Sequence, residues 1–332
     1  MTGKGAMTVT DGAVQSYQGL TLGSLTISDA TTSVTLGGAV ATDAALSITS
    51  GGTVVQDAGS TMTAGSTLTL SANTGVTLNE DVTSNGATTI KSDADGNGGA
   101  GDVGDFILAA SKALATNNNT LLITADDIQL SGTLTSGSSQ TTLRISDSGT
   151  IGVGDTTGAM SISKAELAKI TASTLWIGRL SGTGNITVNN LVTANTANIS
   201  SKVAFVTNSN ISFSSNASAV TSGLTLRATG NTTIGVAITA GGAVDIDSGG
   251  TIAINAAINT NSSASGTIAI DGDGTTTIAA AGDINAGGAV SFGAAKSGTL
   301  TTSGDIVTSN DNITFTQAVT LGGNVDIDTT GS

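Results

Sequence analysis

The chain reads as an all-β protein, a parallel β-solenoid (β-helix) wound in coils of about 21–23 residues. Three observations predict this. Short alternating strands recur at near-constant spacing, glycine- and asparagine-rich breaks separate them, and the composition suits a thin aliphatic core. Of 332 residues 46 are glycine, none is proline, cysteine or histidine, and aromatics make up 2%. Charged residues are only 10%, while 38% are hydrophobic, a balance that opposes disorder.

The strands come in order. Leu25-Thr26-Ile27, Leu46-Ser47-Ile48, Leu68-Thr69-Leu70 and the segment ending at Ile90 lie ~21 residues apart. A second phase runs between them, with Val34-Thr35-Leu36 and Val40 mirrored by Val76-Thr77-Leu78 and Val82. Towards the C-terminus Val244-Asp245-Ile246, Ile268-Ala269-Ile270, Val290-Ser291-Phe292 and Ile313-Thr314-Phe315 repeat at ~23 residues. An apolar-x-x-Gly-Gly-x-Val motif occurs at Val34 to Val40, Ile238 to Val244, Ile284 to Val290 and Val319 to Val325. Alternation over three to five residues sends successive side chains to opposite faces. Inward Val, Ile and Leu are expected to stack in columns, and outward Thr, Ser, Asp and Asn to form polar ladders. Large rings in every coil would overpack so narrow a lumen, and proline would remove ladder donors.

The middle, about residues 92–180, departs from the rhythm and is expected to decorate one continuous single domain, 1–332. It opens on the turn-rich run from Ser92 to Asp102. Its one helical signal is Ser163-Lys164-Ala165-Glu166, a capping-box pattern before Leu167-Ala168-Lys169-Ile170. It predicts a short helix near 163–170 with Leu167 and Ile170 on one face. Regular coils resume at Leu175-Trp176-Ile177 and Ile186-Thr187-Val188.

The absences exclude chemistry. Without histidine there is no Ser-His-Asp triad or histidine general base, and without cysteine or histidine no ordinary zinc, haem or iron–sulfur site. The net charge of −14 opposes nucleic acid and anionic membrane surfaces. No apolar run reaches the ~20 residues of a membrane span. No apolar signal-peptide stretch follows Met1-Thr2-Gly3-Lys4-Gly5, so a secreted protein would be an excerpt from a longer precursor.

Several residues invite a specific chemistry. Asp93, Asp95, Asn97 and Gly98 match the opening of a calcium loop, with Asp102 and Asp105 nearby as further oxygens. Calcium at Asp93, Asp95, Asn97 and Asp102 is the one cofactor candidate, although the twelfth loop position is Gly104 rather than Glu. A solvated turn explains the same residues through backbone preference alone. Asp271-Gly272-Asp273-Gly274 supplies only two carboxylates. Asp126-Asp127 would suit a polysaccharide hydrolase or lyase only if a turn intervened, because adjacent strand residues face opposite ways. Trp176, the single tryptophan, could stack on a sugar or cover the neighbouring helix. Thr-x-Thr pairs such as Thr67 and Thr69 suggest ice-binding ladders, but Ser, Asn and Asp interrupt them and β-propensity accounts for them.

The stretch Ile123-Thr124-Ala125-Asp126-Asp127-Ile128-Gln129-Leu130, then Ile151-Gly152-Val153-Gly154, Ala165-Glu166-Leu167, Ile170-Thr171-Ala172 and Leu175-Trp176-Ile177-Gly178 resembles the repeat region of filamentous-haemagglutinin-like exoproteins. The Gly241-Gly242-Ala243-Val244-Asp245-Ile246 type of unit is similar. The resemblance implies a right-handed parallel β-helix in a large secreted adhesin, often exported by an outer-membrane partner, and supplies no catalytic residues. The family's N-terminal secretion domain is not evident. The expected function is therefore non-enzymatic: an extracellular, cell-surface structural or adhesive segment. Its partners would be surface glycans or proteins of host or neighbouring cells. The main rival is self-assembly into a filament or surface layer, since the chain ends at Asn324-Val325-Asp326-Ile327-Asp328 without an evident cap and an uncapped coil offers open edges. A polysaccharide-active enzyme would instead need a groove lined by three or more carboxylates.

Overall fold

The structure, a computed structural model, describes residues 5–10, 15–17, 19–29, 31–97, 104–260, 265–293 and 298–330. It is a parallel β-solenoid of about 14 turns with roughly 22 residues per turn. The chain divides into two compact units. The first comprises Met1–Ser148 and Lys169–Leu175, the second Gly149–Ala168 and Trp176–Ser332.

In the first unit each coil contributes strands to three parallel sheets. In the first sheet Leu25, Leu46, Leu68, Thr88, Leu121 and Thr141 are successive register partners. The second sheet stacks Val34, Val54, Val76, Phe106 and Ile128. The third stacks Val40, Met62, Val82, Leu114 and Leu134. The spacing read from Leu25, Leu46 and Leu68 is thus a true column, and the two phases seen in sequence are two faces of the same coils. Nearly every inward aliphatic is fully buried: Leu25, Leu46, Leu68 and Ile90 are all 0% exposed. Within the section where the sequence rhythm falters, Phe106–Leu108, Leu121–Ala125, Ile128–Leu130 and Thr133–Thr135 still pair in register with the preceding coils.

The second unit repeats the plan. Leu224, Val244, Ile268, Val290 and Ile313 form one column, and Ile186, Ile211, Thr232, Ile252, Thr276 and Leu300 another. A third contains Ser218, Ile238, Ile258, Ile284 and Ile306. Three phenylalanines enter this lumen, Phe205, Phe213 and Phe292, each under 2% exposed. Phe205 and Phe213 meet edge to face at 6.0 Å, and Phe292 stacks on Phe315 at 5.3 Å.

Two expectations need revision. The helix is only Lys164–Leu167, capped by Ser163 and Glu166 in a full capping box. Ile170 lies beyond it and opens the strand Ile170–Arg179, where it pairs with Leu134. A ladder position secures a β-branched residue better than a fifth helical one. The Gly-Gly motif turns more than one kind of corner. It joins the second to the third sheet at Val34 and Val40, but the third to the first at Ile238 and Val244. Glycine is required where coils touch: a Cβ on Gly241 would lie 2.0 Å from the Thr221 carbonyl oxygen.

Second, not all hydroxyls face out. Ser50, Ser84, Thr207, Ser248 and Thr302 are at most 1% exposed at strand ends. Ser50 Oγ donates to the Thr32 carbonyl at 2.6 Å, Ser84 Oγ to that of Ser66 at 2.9 Å, and Thr302 Oγ1 to that of Gly304 at 2.8 Å. These side chains satisfy corner carbonyls that the ladders leave behind, a requirement for any buried backbone group.

Candidate functional site

Carboxylates gather at two places. The first is a corner of the first unit, where coils leave the first sheet for the second. Asp93 is 4% exposed, and its Oδ1 accepts from the Gly96 amide at 3.0 Å. Asn97 Nδ2 donates to Asp95 at 2.9 Å. The next coil brings Asp126 and Asp127 to the same corner, where Asp126 N donates to the Gly104 carbonyl and Phe106 N to that of Asp127. Asp126-Asp127 therefore occupies a turn. Gln129 Nε2 donates to Asp105 at 2.8 Å. Asp102 lies outside the described residues. Among the described residues no group of three or more acidic side chains stands so as to hold one metal ion.

This crowding perturbs titration. Desolvation pushes Asp126 above the ordinary carboxylate range, and the charges of Asp147, Asp93, Asp105 and Asp127 add to it. Desolvation also raises Asp93, opposed by the Ser146 hydroxyl and reinforced by Asp95. A carboxyl raised in the folded state contributes stability that is present at low pH and lost as pH climbs through the raised value. Asp29, held low first by the Thr32 hydroxyl, and Glu80, held low first by Lys112, act in the opposite sense. Their stability vanishes only as pH falls below the ordinary range. The urea midpoint of the first unit is therefore expected to rise as pH is lowered from neutral through the raised carboxyls, and to drop again as pH falls below the ordinary carboxylate range. Asp126→Asn should flatten the upper limb; a midpoint that never rises as pH is lowered from neutral to the ordinary carboxylate range would refute the crowding argument.

The second place is the outward face of the first sheet in the second unit. In the strand Val244–Ser248 the inward residues are Val244, Ile246 and Ser248, so Asp245 and Asp247 point out together. Register then sets Arg227, Asp247 and Asp271 in one row across three strands. Arg227 Nη2 stands 3.6 Å from Asp247 Oδ2. Asp271 Oδ1 is shielded from solvent and accepts no hydrogen bond. Desolvation raises Asp245, with Asp247 and Asp271 adding and Lys202 and Arg227 pulling the other way. A cavity of about 440 Å³ opens beside this row, lined by Leu180, Arg227, Thr229, Asp247, Gly249 and Asp273 among others. Leu180 is 46% exposed at its lip.

Trp176 lies on the outward side of its strand, between the buried Leu175 and Ile177, and is itself half-buried. Two residues on, a Cβ on Gly178 would meet the Val206 carbonyl at 2.2 Å, and Val206 is the register partner of Arg227. The strand Ile170–Arg179 therefore runs beside the strand that carries Val206. Sequence reasoning passed over Asp245, Asp247 and Arg227, although an Asp-x-Asp on one strand with Asp271 about one coil later was a readable signal. Chemically, the face combines fixed acceptors, a forked donor and a concavity. Comparison of the chain with protein-family models, curated proteins and solved structures returns no match.

Proposed function

We infer that the chain is a non-enzymatic structural and adhesive segment of an extracellular, cell-surface protein, with a surface glycan or protein as partner. The observation that carries this reading is the unbroken register of the columns within each unit, such as Leu25 to Leu121 and Leu224 to Ile313. A stack in which each coil serves as template for the next is stiff along its axis and presents side chains at fixed ~4.8 Å intervals, which suits a spacer carrying a binding face. No described helix is long and apolar enough to cross a membrane. Two measurements test the reading together. Pulled between its termini by atomic force, the chain is expected to resist and then yield coil by coil, and beads coated with it are expected to attach to glycan-bearing cell surfaces. Extension without resistance, or coated beads that attach no better than bare ones, would overturn it.

A further inference from the structure

We propose that the outward face around Arg227 and Asp247 binds a neutral saccharide chain, with Arg227 donating to and Asp247 accepting from its hydroxyl groups. This rests on the adhesive reading above. The strand backbone there has little to offer a ligand, because Leu224–Ala228, Val244–Ser248 and Ile268–Ile270 are each paired on both sides. An added peptide strand finds no edge, so recognition falls to side chains.

Those side chains suit hydroxyl groups, which donate and accept at once. Arg227 supplies a rigid fork of donors, and the carboxyl of Asp247 beside it supplies acceptors. A cavity near 440 Å³ falls in the ordinary range for ligand sites. Register spaces the row by ~4.8 Å per strand, comparable to one hexopyranose ring, so successive coils can meet successive sugars. Exposed Leu180 at the lip of the cavity adds apolar surface of the kind that packs against the non-polar face of a sugar ring.

Charge narrows the class. Asp245, Asp247, Asp271 and Asp273 outnumber Arg227 and Lys202, so uronate, sialylated and sulfated chains are repelled. A lone metal ion is disfavoured because a guanidinium occupies the row and no three acidic groups converge on one point among the described residues. A basic peptide would have to displace or face Arg227.

The test uses the intact chain on a panel of immobilised glycans. The panel holds neutral hexoses and N-acetylhexosamines, linear and branched, beside uronate-containing and sulfated chains, with hexalysine as a cationic probe. Binding to at least one neutral glycan and to no acidic one is expected. Arg227→Gln and Asp247→Asn should each weaken that binding about tenfold or more, with thermal unfolding unchanged. Failure to bind any neutral glycan at millimolar concentration overturns the proposal. So does preference for acidic glycans or hexalysine, or binding indifferent to both substitutions. Release of reducing ends from a bound glycan would also overturn it, in favour of hydrolysis by the carboxylates. Attachment of coated beads to cells, measured with the same proteins, separates the two levels. Attachment that survives both substitutions removes this site and leaves the adhesive reading standing, whereas wild-type protein that never attaches removes the reading itself.

Discussion

Phe205→Ala should destabilise the second unit by about 3–5 kcal/mol. Phe205 is fully buried, its register partner is Leu226, and its ring meets that of Phe213 edge to face. Truncation leaves a void in a lumen whose walls are ladder backbone held at fixed strand spacing, so the site can collapse very little. Phe205 stands in a register match of six residue pairs with the strand Gly223–Ala228. Loosening should therefore spread first to its two neighbouring coils, where amide hydrogen exchange would accelerate. Urea denaturation measures the total, and a loss below about 1 kcal/mol would mean that the lumen repacks freely.

Gly154→Ala should be comparably damaging for a different reason. Gly154 has φ +88°, and an added Cβ would lie 2.0 Å from the Asn189 carbonyl oxygen. That oxygen accepts from the Asp155 amide at 3.0 Å, and Gly154 and Asn189 are ladder partners. The methyl group must either force the strands apart or flip the turn, and both break that bond. Gly59→Ala supplies the control. It has φ +84° but open space around its Cβ, so it should cost only the ~1–2 kcal/mol of a left-handed conformation. Equal losses in the two variants would show that backbone conformation alone matters and that the close approach does not.

The two substitutions differ in how readable they were. A buried aromatic on an alternating strand follows from the period-2 pattern around it. The need for glycine at position 154 arises from Asn189, 35 residues away in sequence, and nothing in Gly152-Val153-Gly154 announces it. The hydroxyls behave alike. Thr207 and Ser248 sit where alternation predicts an inward side chain, but their partners, the Thr183 and Gly230 carbonyls, belong to the preceding coil. Polarity alone assigned such residues to the outside, and the corner carbonyls reversed that assignment.

The acidic corner and the Arg227 row follow the same logic. Asp126-Asp127 was visible as a pair, yet Asp93, Asp105 and Asp147 join it only through the winding. Arg227, Asp247 and Asp271 are 20 and 24 residues apart, and this unevenness hid their alignment. Turn lengths vary from coil to coil, so counting residues predicts a column for the regular apolar positions but not for a single charged one.

By itself the sequence determined the all-β class, the coil length, the aliphatic columns from Leu25 to Leu68 and from Val244 to Ile313, and the capping box at Ser163. All of these rest on local alternation and periodic spacing, which the linear chain states directly. The tertiary structure alone decided which corner each Gly-Gly pair turns, where the helix stops, which hydroxyls face inward, and that Arg227 stands beside Asp247. These depend on contacts between successive coils, where each atom's neighbour is set by the exact length of the turn in between.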